Sequence, residues 1–189
     1  MILICGGIGS GKSVVSRILR ANGFEVYDSD LEARRLMDSS DEIKRRLCIE
    51  ITVDAVDSQG NINRPRVAEV VFADASKLVV LNSIVHTAVK ADIRLRMARN
   101  PHLFVETAIP VSSGLVDFAD EVWHVEAPED LRIRRVMARN NTTAEAVRGR
   151  IEAQRAEVVP DARVILNDGR HPLLPAVLEA VVKSLKIKT

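Results

Sequence analysis

Gly6-Gly7-Ile8-Gly9-Ser10-Gly11-Lys12-Ser13 is the stretch on which the fold turns. It has the spacing of a glycine, four residues, then Gly-Lys-Ser. A loop that wraps an anion with inward-pointing backbone N–H groups must lack side chains where it curls, which is what the glycines supply. The apolar run Ile2 to Cys5 before it fits a buried strand. Ser13 to Ala21 after it reads as a helix, with Val14, Val15, Ile18 and Leu19 as its buried stripe. A strand, an anion loop and a helix whose N-terminal dipole faces the same anion make a phosphate site. In that setting Lys12 serves the terminal phosphates as a point charge, and Ser13 offers a hydroxyl to Mg²⁺.

Outward from the loop, strands and helices alternate. Asn22-Gly23 stops the first helix, Phe24 to Tyr27 is the next strand, and Leu31 to Met37 reads as helix. Residues 38 to 63 are more polar and carry the turn signal Asp57-Ser58-Gln59-Gly60-Asn61. Helices are expected from about Pro65 to Phe72 and from about Ser76 to Arg99, the second with Leu78, Leu81, Val85, Ala88 and Ile93 on one stripe. Leu103 to Ala108 and Glu121 to Ala127 are strand-like. A helix from Pro128 to about Arg139 is broken by Asn140-Asn141-Thr142-Thr143, and Thr143 can cap a helix from Ala144 to about Ala156. Arg163 to Leu166 is a last strand, and Pro172 to Leu185 a closing helix. The fold class expected is α/β, a three-layer P-loop NTPase fold. Its sheet has about five, mostly parallel strands with helices on both faces. A single domain spans 1–189, with its core at about 1–30, 100–139 and 157–189, a helical subdomain at about 31–99 and a lid at about 140–156.

Composition narrows the function classes. The chain has 189 residues, 47% hydrophobic and 28% charged, with a formal net charge of +1. That charge gives no global field favouring nucleic acid or an anionic membrane. Seven lysines leave twenty arginines among the 27 cations, several of them between Arg132 and Arg155. An arginine fork suits phosphate, but most such residues read as solvated helix charges. Cys5 ends an apolar run and reads as a small buried hydrophobe, and two cysteines make no disulfide framework. The N-terminus lacks a basic n-region and no apolar run is long enough to span a membrane, so a cytoplasmic enzyme is expected.

The second strand ends in Asp28-Ser29-Asp30. Alternate strand residues point the same way, so both carboxylates could face ligand from the C-terminal edge of the sheet. Such a group can take the proton of an attacking hydroxyl. Asp30 could equally be a plain helix cap before Leu31. His86 reads either as a packing histidine or as a site residue, and Arg135 and Arg150 either as surface charges or as phosphate ligands. Arg139 adjoins the break at Asn140.

The opening loop together with Gly23-Phe24-Glu25-Val26-Tyr27-Asp28-Ser29-Asp30-Leu31-Glu32-Ala33-Arg34 resembles the dephospho-CoA kinase family. Asp57, Gly60, Ile62, Arg64, Val71 and Phe72 resemble a further stretch of that family, as do Leu81 to His86, the lid residues Arg135, Arg139, Arg150 and Gln154, and then Asn167 and Gly169. The resemblance implies transfer of the γ-phosphoryl group of ATP, with Mg²⁺, to the ribose 3′-hydroxyl of dephospho-CoA. On it, Gly7, Ile8, Gly9, Ser10, Gly11, Lys12, Ser13 and Val14 hold ATP with Arg139 and Asn167. Asp30, Lys12 and Arg139 are catalytic, and Asp30, Arg34 and His86 meet the acceptor. Some positions depart from the pattern. Ser112 stands where a glutamate is expected, Glu106 where aspartate is usual, Thr87 in place of proline, and Leu166 in place of aspartate. The link after Gln154 is short and lysine-free. Two other readings fit the loop: a kinase for a different small hydroxyl substrate, such as a nucleoside monophosphate or sugar acid, and a non-catalytic nucleotide-binding protein.

Overall fold

In chain order the elements of the computed structural model, which describes residues 1–186, are β1 (Ile2–Cys5), α1 (Lys12–Ala21), β2 (Val26–Asp28), α2 (Ser29–Ser39), α3 (Asp41–Glu50), α4 (Arg64–Ala73), α5 (Ala75–Met97), β3 (Phe104–Glu106), β4 (Glu121–Glu126), α6 (Glu129–Asn140), α7 (Ala144–Ala153), β5 (Arg163–Leu166) and α8 (Leu173–Leu185). The last three residues of the expected core segment 157–189 lie outside the described residues. The five strands form one sheet in the order β2-β3-β1-β4-β5, and every pairing is parallel. β1 is central and buried along its whole length, as its unbroken Ile-Leu-Ile-Cys run requires.

The chain forms two compact units, one of residues 1–28 and 97–189 and one of residues 29–96. The first holds the sheet. Its core joins Ile2 and Ile4 of β1, Val15 and Leu19 of α1, and Val177, Ala180 and Val181 of α8. Phe104 of β3 stands edge-on between Phe24 and Trp123, with ring centroids 5.5 and 5.3 Å apart. These aromatic contacts fill the space between strand and helix at favourable quadrupole geometry. α1 follows most of the expected stripe: Val15 and Leu19 are buried and Ile18 packs beside them, while Val14 is only half-buried and lies outside that core.

The second unit is all helical, with a core of Ile43 and Leu47 from α3, Val67 and Val71 from α4, and Ile84 from α5. Its α3 falls within a stretch too polar to read as helix from the sequence. Ser40 caps it by accepting from the Ile43 N–H at 3.3 Å, and its outer face carries the ion pairs Arg45–Glu42 and Arg46–Glu50. Those charges hide a two-residue apolar stripe. On α5 the buried residues are Ile84, Val89 and Ile93, while Val85 is only half-buried, so the stripe lies slightly rotated from the one expected. The turn at Asp57 forms as its residue types demand. The Asp57 carboxylate accepts from the N–H groups of Gln59 and Asn61 at 2.9 and 2.8 Å, and Gly60 takes φ 83°.

Candidate active site

β1 delivers the chain into the loop, and three of its glycines are there because nothing larger fits. A Cβ on Gly6 would come within 2.3 Å of the Val125 carbonyl oxygen. One on Gly9 would lie 2.6 Å from the Arg132 carbonyl oxygen, with φ already at 79°. One on Gly11 would meet the Asn167 amide nitrogen at 2.1 Å, at φ 100°. Gly11 is also the residue at the N-terminus of α1, where Val14 N–H closes on its carbonyl at 2.9 Å. The Lys12 ammonium folds back to donate to the Gly6 carbonyl at 2.7 Å, spanning the loop it belongs to. Ser13 is exposed in the first turn of α1.

The loop is gripped from outside by side chains distant in sequence. The Ile8 peptide is held at both ends: its N–H donates to Gln154 Oε1 at 2.7 Å, and its carbonyl accepts from Arg132 Nε at 2.9 Å. The Ile8 side chain packs against Ile133, Val136 and Val147, the small core of the α6–α7 hairpin. Asn167, just past β5, donates its amide to the Ser10 carbonyl at 2.8 Å. The Arg135 guanidinium lies against the carbonyls of Gly9, Ser10 and Asn167 at 3.4, 3.4 and 3.3 Å. Arg135 is therefore no solvated surface charge. Arg132 is a loop contact that the sequence offered no means of singling out. Burial pulls its guanidinium below the ordinary value, against the pull of Glu129 and Glu126. The charges that do behave as a solvated face include Arg134, paired with Asp130, and Arg155, paired with Glu152.

Acidic groups gather at the C-terminal ends of β2 and β3. Asp28 and Glu106 are register partners on the two neighbouring strands. Glu106 accepts from the Ser16 hydroxyl at 2.6 Å. Its carboxyl is held above the ordinary glutamate value, first by burial and further by the Asp28 charge, while Ser16 and Lys12 pull the other way. Two carboxylates at one sheet edge are the kind of oxygen donors that a hard cation takes. At the neighbouring edge, Cys5 and His124 are register partners on β1 and β4, with Sγ and Nδ1 3.6 Å apart. Burial pushes the Cys5 thiol up to about 11 and lowers the His124 imidazole. Cys5 is thus the inert buried residue its setting implied. His124 lines a cleft with Gly6, Gly7, Arg132 and Gln154, and nothing in the sequence had marked it.

Asp30 departs from both local readings of its sequence. β2 ends at Asp28 and α2 begins at Ser29, so Asp30 is neither an alternating strand residue nor a cap. It is helical, in the first turn of α2 with Glu32, where a carboxylate meets the positive end of the helix dipole. Asp30 and Arg34 are both exposed on α2, one helical turn apart, and His86 is half-buried on α5. Arg139 lies in the last turn of α6, and its Nε donates to Asn140 Oδ1 at 3.0 Å. The break that follows forms as expected: Asn141 takes the left-handed conformation at φ 47°, and Thr143 caps α7. Ser112 is met by a carboxylate from elsewhere in the chain. Glu157 accepts from the Val111 and Ser112 N–H groups at 2.8 and 3.2 Å and also from the Ser112 hydroxyl.

The chain resembles known proteins over nearly its whole length. The family model for dephospho-CoA kinase matches residues 1–172. A dephospho-CoA kinase of Porphyromonas gingivalis is 38% identical, covering 98% of this chain and 94% of that protein. One from Bacteroides fragilis is 36% identical over 94% of this chain and 89% of its own length. A crystal structure from Thermus thermophilus superposes with a TM-score of 0.80 at 32% identity, covering 97% of this chain and 96% of the other.

Proposed function

The chain belongs to the dephospho-CoA kinase family, and from that premise we propose that its loop and acidic residues carry an ATP-dependent phosphoryl transfer to the 3′-hydroxyl of dephospho-CoA, closing coenzyme A biosynthesis. The observation that carries the reading is the loop itself, built without room for a side chain at Gly6, Gly9 or Gly11, inside a chain matched over residues 1–172.

The backbone N–H groups from Gly7 to Val14 and the dipole of α1 hold the triphosphate. On nucleotide binding Lys12 exchanges the Gly6 carbonyl for phosphate oxygens, so its present hydrogen bond keeps the ammonium aimed along the loop. Ser13, Asp28 and Glu106 are the residues that would hold Mg²⁺, which would supply positive charge to the triphosphate. Asp30 takes the proton of the attacking ribose hydroxyl. A bond forms between that oxygen and the γ-phosphorus while the bond from phosphorus to the β–γ bridging oxygen breaks, and ADP leaves. Arg34 and His86 bind the acceptor in the helical segment 31–99. Arg139, in the last turn of α6 beside the lid, brings a cation to the transferring group. Asn167 serves ATP by fixing the Ser10 carbonyl, so it acts on the nucleotide through the loop.

Steady-state phosphorylation of dephospho-CoA tests this reading. Asp30→Asn keeps the shape and removes the base, and kcat should fall by roughly 10²–10⁴-fold with little change in KM for ATP. Phosphorus NMR should place the new phosphate on the 3′-oxygen. Wild-type protein with no activity above Asp30→Asn would overturn the assignment.

A further inference from the structure

Four charged side chains close a ring between α2 and α5, inside the unit of residues 29–96. Glu32 pairs with Arg35 on α2, and Asp92 with Arg96 on α5, the latter with Nε 3.7 Å from Oδ2. Across the helices, Arg96 Nη2 meets Glu32 Oε1 at 2.9 Å and Arg35 Nη2 meets Asp92 Oδ2 at 3.2 Å. Each guanidinium thus bridges both carboxylates, which suits the fixed fork of arginine better than the point charge of lysine. Exposed ion pairs contribute little. Here the Glu32 and Asp92 side chains are only 15% and 20% exposed, and the four charges act as a network. The reaction derived above uses none of the four.

The second half of α2 rests on the unit's core through Leu36 and Met37. Its first half carries Asp30, Leu31 and Arg34, all of them exposed, and Leu31 at 62% buries little apolar surface. What turns that half of the helix to a fixed angle about its own axis is the ring. Asp30 and Arg34 stand two residues to either side of Glu32, so at about 100° per residue both lie roughly 160° around the helix from it. Holding Glu32 against α5 therefore presents Asp30 and Arg34 together on the opposite face. Charge-assisted hydrogen bonds have direction, which apolar contact lacks, so they fix the roll of the helix as well as its position. We infer that Glu32, Arg35, Asp92 and Arg96 are positioning residues that aim the base Asp30 and the acceptor-binding Arg34 by setting the roll of α2. The inference rests on the roles proposed above for those two residues.

Charge reversal tests the ring. Reversing α2 alone, with Glu32→Arg and Arg35→Glu, keeps the pair within that helix and sets like charges against α5. Reversing α5 alone, with Asp92→Arg and Arg96→Glu, does the same from the other side. Reversing all four restores every contact with its sign exchanged. Each half-reversal should lower kcat/KM for dephospho-CoA by about 10²-fold, the cost of misplacing reacting groups by about an ångström, and leave KM for ATP within about twofold of wild type. Full reversal should recover most of that loss, to within roughly fivefold of wild type. Asp92→Asn opens the ring without repulsion, and a loss of about fivefold on the acceptor alone is expected from it even if the half-reversals fail to fold. Half-reversals or Asp92→Asn at wild-type kcat/KM overturn the inference. So does a full reversal that is no better than the product of the two halves. A loss shared equally between acceptor and ATP, with a matching fall in thermal stability, overturns it too, because it reports a fastening of the fold alone. Wild-type protein inactive on dephospho-CoA would instead fail the reading beneath, leaving Asp30 no role for the ring to serve.

Discussion

The phosphate loop and the helical unit of residues 29–96 are built on opposite plans. The loop's working parts are backbone, and side chains from α6, α7 and the end of β5 hold them: Arg132 and Gln154 on Ile8, and Arg135 and Asn167 on Gly9 and Ser10. In the helical unit the working parts proposed are side chains, and Asp30 and Arg34 stand exposed on α2, which rests on the unit's core through Leu36 and Met37. The difference follows from the ligands. A triphosphate offers repeated, identical oxygens that a rigid ring of N–H groups can meet in advance. An acceptor offers distinct groups along its length, and distinct side chains must meet each one. Rigidity is therefore concentrated where the ligand is generic.

The sharpest way to break this contrast is to add one methyl group in each place. Gly9→Ala drives a Cβ to within 2.6 Å of the Arg132 carbonyl, at φ 79°. Displacing the loop by a fraction of an ångström should cost about 10²-fold in kcat/KM for ATP. Gly60→Ala carries a similar φ of 83° but meets nothing within 4 Å. It should cost only the left-handed backbone term, about 1–2 kcal/mol of stability, and leave KM for ATP unchanged. Equal kinetic effects from the two variants, measured beside urea melts, would erase the distinction.

A smaller effect is expected from the grip itself. Gln154→Met removes the acceptor for the Ile8 N–H and keeps the side chain's length. Loosening the loop should raise KM for ATP by about tenfold and spare KM for dephospho-CoA, and Gln154→Glu, which keeps an acceptor oxygen, should recover part of the loss. Arg34→Met should do the reverse, raising KM for the acceptor alone. Initial-rate matrices in both substrates separate the two patterns.

The smallest effect concerns pH. Burial and the Asp28 charge keep Glu106 protonated to a higher pH than an ordinary glutamate. Protonation suits the folded protein here. The stability that it contributes is present below the unfolded glutamate value and is lost as pH rises through the folded one. Cation binding needs the ionised form, so KM for Mg²⁺ should rise several-fold as pH falls through that raised value. A pH series in Glu106→Gln should lack this limb. A limb of equal size in that variant would assign it elsewhere.

Legibility in the sequence follows the same division. The loop could be read because sterics demand glycine at Gly6, Gly9 and Gly11, and those three fix the spacing of the pattern. Most elements around it were readable too, since Asn22-Gly23, Asn140-Asn141 and Asp57–Gly60 punctuate the chain with residues suited to the backbone they adopt. α3 was not, because Arg45, Arg46, Glu42 and Glu50 pair within the helix and outnumber its buried Ile43 and Leu47. Arg132 was hidden for another reason. It differs from the solvated Arg134 only in the helix face that it occupies, and that face is set by packing of Ile133 and Val136. His124 sits in a strand that reads as plain β-former sequence, and only the register with Cys5 brings it to the loop's edge. Asp30 was placed as the end of a strand because extended and helical backbone meet at Asp28 and Ser29 without a glycine or proline to mark the change.

Ser112 stands where the resemblance leads one to expect a glutamate. The loop around it has one all the same, delivered by Glu157 from 45 residues further along. In space the Ser112 loop carries one carboxylate, and Glu157 holds it through two backbone N–H groups and the Ser112 hydroxyl. A loop's charge is therefore a property of everything that folds against it, and the letters of the loop alone leave it uncounted.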